Sequence, residues 1–460
     1  MHILRCGLTQ VELHVHLDGA FDELVMFAEA KALQASGRAH NFLPENVTLF
    51  GETYPVRRAV EGCSSGQDFK RLASCKGKRS LHAMFRCFEI FLPIVRGRLP
   101  LIEELAFRFV ERQAAQSVVY TEVRYSPHLL ADGGLMVLQT DDMEGSPRPV
   151  DSDDEEEETA LPPVPMSEHA SAASARAAVD AEAVYQAVTR GLRRGQLRFG
   201  VTVNQILCML AFRPDWALDT VRMANAHRKH GPCAVVGVDV AGGEEWFKRP
   251  AVPEGEIGMH GAHVRALAKA QELKLNVTLH AGEDTDASNV GAAVFEHGAM
   301  RIGHGYHLVD DPGLLARCVA KGVHFECCPT SSFETGGWSG ESSERMDWSS
   351  HPLKSLLAAG ASVGLNSDDP AVFATSLTDE LLLAATPAAR HGRQGAEKAW
   401  SAGAGGLPPS SGVGLRYDEL VKATLDAADA AFVPRAERAA LRASLEARFM
   451  ALEKVRGSAL

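Results

Sequence analysis

At 460 residues, 45% apolar and 23% charged, the chain has a globular make-up, and its length suits one α/β barrel with insertions or two to three smaller domains. Its net charge of −12 is a poor guide to partners, because residues 141–158 hold ten acids and one base and so carry nine of those charges. What is left is near neutral, which argues against a nucleic-acid partner, and no apolar run is long enough to cross a bilayer. Nine cysteines, an odd number without C-x-x-C spacing, fit reduced thiols in a cytoplasmic protein. Cys6, Cys87, Cys208 and Cys318 stand in apolar contexts and read as small core residues. A cleaved leader is not expected, because its removal would take the first histidine pair with it.

In chain order, Val11-Glu-Leu-His-Val-His-Leu-Asp-Gly-Ala20 reads as a buried strand. Val11, Leu13, Val15 and Leu17 take one face, and Glu12, His14 and His16 the other. Helical spacing follows over 21–36, over 80–94 with Leu81, Met84, Phe85, Phe88 and Leu92 on one face, and over 100–116. A second strand runs from Val118 to Arg124 and is stopped at Tyr-Ser-Pro-His. Residues 133–172, acidic and proline-flanked, cannot bury enough to order and read as a disordered insertion. Beyond it, helices over 173–194, 215–230, 259–272, 287–297, 311–320 and 352–359 alternate with strands over 198–206, 234–241, 275–280, 300–304, 322–327 and 361–367. A Gly/Ala/Pro-rich insertion covers 391–415. Eight strands, most joined by a helix, predict one (β/α)8 TIM barrel domain over 1–460, with its active groups at the C-terminal ends of the strands.

A His-x-His pair alone is weak evidence, since two solvent-facing histidines on an edge strand are the commoner case. The later strand ends shift that balance. Strand four ends in Asp239-Val-Ala-Gly242, strand five in His280-Ala-Gly-Glu283, strand six in Gly303-His304-Gly305-Tyr306-His307, and strand eight in Asn366-Ser367-Asp368-Asp369-Pro370. His14, His16, His280 and Asp368 make a nitrogen/oxygen set that suits one Zn²⁺ with room for water. Zinc lowers the pKa of bound water to about 7. His304 lies within reach of that water as base or electrostatic partner, and Glu283, three residues after a ligand, is set to protonate the substrate. The residues alone reach a barrel-type zinc hydrolase. The other zinc deaminase design, H-x-E followed by P-C-x-x-C, is matched only in its first half, by His324-Phe325-Glu326.

The strings HVHLDGA (14–20), EVRYSPHLLA (122–131), DVAG (239–242), HAGE (280–283), IGHGYH (302–307), FECCPTSS (325–332) and SDDP (367–370) resemble those of the adenosine deaminase family, in the same order and spacing. The resemblance covers the barrel from Val11 to about Phe373 and resumes from Tyr417 to about Leu452. It implies one zinc on His14, His16, His280 and Asp368, and protonation of a purine ring nitrogen by Glu283. It gives His304, helped by Asp368, the part of orienting and deprotonating the attacking water. Asp369 would meet the imidazole-side ring nitrogen, the Gly242 backbone the pyrimidine-side nitrogen, and Asp18 with His16 the ribose 5′-hydroxyl. The implied reaction converts adenosine or 2′-deoxyadenosine to inosine or deoxyinosine and ammonia, in purine salvage, by a monomer acting on a small nucleoside. A 5′-phosphate about 4 Å from Asp18 would cost roughly 1 kcal/mol per charge pair in water and about 4 at an effective dielectric near 20, so a nucleoside is expected over a nucleotide. The helix face Leu81, Met84, Phe85 and Phe88 resembles the family's apolar gate over the ribose, its plain alternative being a core helix. A related barrel acting on adenine or N6-modified AMP, or a non-catalytic protein that kept the fold, are the other readings.

Overall fold

The computed structural model describes residues 8–39, 42–49, 52–132, 178–228, 231–247, 259–338, 347–387 and 411–457. Eight parallel strands are β1 (Gln10–His16), β2 (Val118–Tyr125), β3 (Thr202–Leu210), β4 (Val235–Ala241), β5 (Asn276–Ala281), β6 (Arg301–His304), β7 (His324–Cys327) and β8 (Ser362–Leu365). Each pairs with the next, in that order. Closure between β8 and β1 is made by residues just past β8. The Asn366 side-chain oxygen accepts from the Leu13 and His14 amides (2.8 and 3.0 Å), and Asp368 exchanges backbone bonds with His16 and His14 (2.8 and 3.1 Å). A side chain thus does the work of a ladder, and the ring closes into a (β/α)8 barrel.

Three sequence expectations are corrected. The third strand is Thr202–Leu210, about four residues later than 198–206, because the preceding helix runs Ala181–Phe199 and stops only at Gly200, whose φ of +76° caps it. Glu12 does not share a face with the two histidines. Pairing of β1 with β2 slips between Glu12 and Val15, a bulge that breaks the two-residue alternation. Glu12 therefore meets Gln113 of the outer helix Leu99–Ala115 (2.5 Å) and Ser367 (2.6 Å), while His14 and His16 look across the barrel. The choice between a core helix and one that faces the cleft does not hold for Leu81–Val95: Cys87–Val95 are buried, whereas Leu81, Met84 and Phe85 are half-buried and line a cleft at the barrel mouth.

The acidic stretch 133–172 and residues 391–410 lie outside the described residues. Residues 411–415 return to the barrel, the Val413 and Leu415 amides donating to Leu383 and Ala384 carbonyls (3.1 and 2.7 Å). Helices Tyr417–Ala430 and Arg435–Gly457 follow. The eight described cysteines are buried and free of disulfides. No described helix is long and apolar enough to cross a membrane.

Candidate metal centre and its cleft

His14 and His280 point their Nε2 atoms inward because their other nitrogens are engaged. His14 donates from Nδ1 to Glu326 Oε2 (2.9 Å), and His280 Nδ1 lies 3.0 Å from Asp239 Oδ2. A carboxylate only accepts, so the protons sit on Nδ1 and the Nε2 lone pairs face the centre. There His14 Nε2 stands 3.1 Å from Asp368 Oδ1, and His16 Nε2 stands 3.2 Å from His280 Nε2 and 3.4 Å from Asp368 Oδ1. The His14 Nε2 lone pair and the Asp368 carboxylate face each other as two acceptors at 3.1 Å and repel unless a cation lies between them, so the donor set fits a metal ion. Single ligand atoms of His14, His280, His304 and Asp368 all fall within 4.8 Å of one another. That group includes His304, whose Nε2 is 3.5 Å from Glu283 Oε2 and 3.9 Å from Asp368 Oδ2, and leaves out His16, whose close contacts are to His280 and Asp368.

The orienting carboxylates are themselves held. Arg124, fully buried, donates to Asp239 (2.8 Å), Glu326 (2.6 Å) and the Leu13 carbonyl (2.6 Å). Arg301 lies 2.7 Å from Glu326 Oε1, which also accepts from Thr278 (3.1 Å). Burial alone would raise the Glu326 carboxyl, but the Arg124 and Arg301 charges outweigh it and hold it well below the usual range. Such partners fix the tautomer and direction of each metal-facing imidazole. Glu326 is thus no accidental match to another motif but the support of His14. Its partner Arg124 lies two hundred residues away in sequence, and nothing local announces the pair.

Two site residues are held in the left-handed region, His304 at φ +66° and Asp368 at +60°. That costs about 1–3 kcal/mol each and re-aims both side chains into the cleft. Gly303 admits His14 because it has no side chain: a Cβ there would lie 2.8 Å from His14 Cε1.

Above the centre lies a cleft lined by His16, Asp18, Gly242, Glu283, His304, Asp368 and Asp369 on its polar side. Leu81, Met84, Phe85, Phe88, Leu129 and Phe212 make its apolar wall. Every residue expected at the site therefore reaches one place. Glu244, Asp284 and Thr335 also line the cleft. Glu244 was not signalled beyond its position two residues after Gly242.

Burial, then the nearby charges of Asp368 and Asp284, push Glu283 up to about 8. Burial and the charge of Asp368 push Asp369 well above the usual range, and burial lifts Asp18 to about 7. Burial holds His16 and His304 well below the usual imidazole value. The buried Asp18 Oδ1 and Asp369 Oδ1 have no hydrogen-bond partner among the described residues. Thr335 donates to Glu283 Oε1 (3.0 Å).

A (β/α)8 barrel with imidazoles and a carboxylate converging at the strand ends, beside buried acids, defines the class of barrel hydrolases with a metal-binding centre. The family model described as adenosine deaminase matches residues 165–401. Adenosine deaminase of Mus musculus is 29% identical over 368 residues, 80% of this chain and 84% of its own. That of Shewanella loihica is 32% identical over 379 residues, 82% of this chain and 88% of its own. Among solved structures, a zinc-bound COG1816 amidohydrolase from Burkholderia ambifaria superposes with a TM-score of 0.59 at 19% identity, covering 99% of this chain and 94% of its own. The chain belongs to the adenosine deaminase family, and is a hydrolytic deaminase.

Proposed function

We propose that this deaminase acts on adenosine and 2′-deoxyadenosine, releasing inosine or deoxyinosine and ammonia. The observation that carries the reading is the convergence of Asp18, Glu283, His304 and Asp369 on one cleft above His14, His280 and Asp368. His14, His16, His280 and Asp368 would hold a single zinc, since three imidazoles and one carboxylate suit it and leave a coordination position free. When bound, zinc supplies hydroxide at neutral pH. His304 falls in the group with His14, His280 and Asp368, but its Nε2 also faces Glu283 at 3.5 Å, so we assign it to proton transfer. His16, 3.2 Å from His280 Nε2 and 3.4 Å from Asp368 Oδ1, is assigned the third imidazole position.

His304, neutral through burial, is suited to take the proton of the attacking water. Glu283, protonated near neutrality, is suited to give its proton to the ring nitrogen beside the carbon that bears the amino group. That carbon becomes tetrahedral, and ammonia leaves once its nitrogen gains a proton. Asp369, its carboxyl raised well above the usual range by burial and the charge of Asp368, is suited to donate to the imidazole-side nitrogen, which bears no hydrogen of its own. The Gly242 amide, at a turn with φ +91°, can donate to the pyrimidine-side nitrogen. Asp18 would receive the 5′-hydroxyl. Six carboxyl groups line the cleft and no lysine or arginine does among the described residues, so no cation there would pair a phosphate, which supports a neutral nucleoside over a nucleotide.

Ultraviolet absorbance of purified protein with adenosine, 2′-deoxyadenosine, AMP and adenine tests this. Turnover of the two nucleosides is expected. Turnover of adenine or AMP without adenosine would overturn the substrate assignment.

A further inference from the structure

The segment that carries Glu283 lies beyond the barrel ladder. β5 ends at Ala281, and the helix that follows begins only at Ala287. Gly282 turns there at φ +70°, and the Gly282 and Glu283 amides need acceptors. Both go to one side chain. Glu244 accepts from the Gly282 amide at Oε2 (2.8 Å) and from the Glu283 amide at Oε1 (2.7 Å). The Thr285 hydroxyl and Asn289 Nδ2 (3.1 Å) also donate to Oε2. Glu244 itself is 2% exposed and stands three residues past β4, after Gly242 and Gly243 at φ +91° and +123°.

Three of these donors share Oε2 and one takes Oε1, so most of the carboxylate's roughly four acceptor positions serve the loop that carries Glu283. Its route to the chemistry runs through that loop. We propose that Glu244 is the positioning residue of this site: it fixes the backbone under Glu283 while Thr335 fixes its carboxyl, so that the acid meets the substrate nitrogen in one orientation. This rests on the deaminase reading above. Misplacing a reacting group by about 1 Å can cost about 10²-fold in rate.

The test is Glu244→Gln, whose amide NH₂ must face at least one N–H donor. Hydrogen–deuterium exchange of the zinc-loaded protein should show the Gly282 and Glu283 amides exchanging at least about tenfold faster than in wild type, with an unchanged unfolding midpoint. The kcat for adenosine should fall by about 10–100-fold with KM within about threefold. In a Glu283→Gln background the same change should cost less than about twofold, because its target is already gone. Wild-type exchange and wild-type kcat in Glu244→Gln would overturn the proposal, as would losses that multiply in the double variant. Glu244→Asp, shorter by about 1.5 Å, is the second variant should the first fail to fold, and the same exchange and rate shifts are expected at smaller size. Wild-type protein that does not deaminate adenosine would refute the substrate reading instead, and the exchange measurement would still decide whether Glu244 holds the loop.

Discussion

Gly303→Ala should disarm the centre without touching a ligand. The added Cβ would lie 2.8 Å from His14 Cε1 and 3.2 Å from His14 Nδ1. Carbon–carbon contacts settle near 3.5–4.0 Å, so the ring must retreat by roughly 0.7 Å or more. It cannot do so freely, because Nδ1 is tied to Glu326 at 2.9 Å and that carboxylate is clamped by two arginines. Metal sites tolerate displacements of about 0.2 Å. Metal affinity should therefore fall by about 10–100-fold, or roughly 1.4–2.7 kcal/mol, and kcat/KM by at least as much. The overpacking itself should lower stability by only about 1–3 kcal/mol, leaving the variant folded. Competition against a chromophoric chelator, with circular dichroism as the folding control, measures both. A variant that binds zinc within twofold of wild type would refute the idea that His14 is held at this spot by the missing side chain.

Glu283→Gln should retain metal and lose about 10²–10⁴-fold in kcat, measured by absorbance; normal turnover would remove Glu283 from proton transfer. Asp18→Asn should raise the ratio of AMP to adenosine turnover by about tenfold or more, since a phosphate would no longer face an ionisable acid at that end. His351 supplies a pH test away from the metal. Its Nδ1 accepts from the Leu353 amide (3.2 Å) and its Nε2 meets Ser332 Oγ (3.0 Å), and burial lowers it to about 3. Between pH 6.5 and 3 the unfolded chain binds this proton and the folded chain does not, so stability falls as pH falls through that window. In urea unfolding, His351→Leu should flatten the slope of stability against pH between 6 and 4 by roughly 1.4 kcal/mol per pH unit; an unchanged slope would show that His351 is protonated in the fold.

The residues proposed as ligands are legible in the sequence because each stands at the end of an apolar run, where a barrel gathers side chains. His14, His16, His280 and Asp368 needed only the order of strands. Their supports were not legible, because they depend on partners across the barrel. Arg124 looks like the ordinary end of a strand, and Glu326 like a stray acid in Phe-Glu-Cys, until the ring closes and they meet at 2.6 Å. Asn366 closes the barrel with its side chain, which no hydrophobic period encodes. The bulge in β1 defeated strict alternation at Glu12, and helix propensity through Leu197-Arg198-Phe199 hid the start of β3. Glu244 escaped because its role is to serve backbone amides, and such a demand becomes visible only once the loop is built.

The most direct measurement is zinc content and adenosine turnover on the same preparation, before chelation, after chelation and after zinc is returned. One zinc per chain, turnover lost with the metal and regained with it is the predicted result. Adenosine consumption that survives complete removal of the metal, or a zinc-loaded protein that leaves adenosine untouched, would contradict the account.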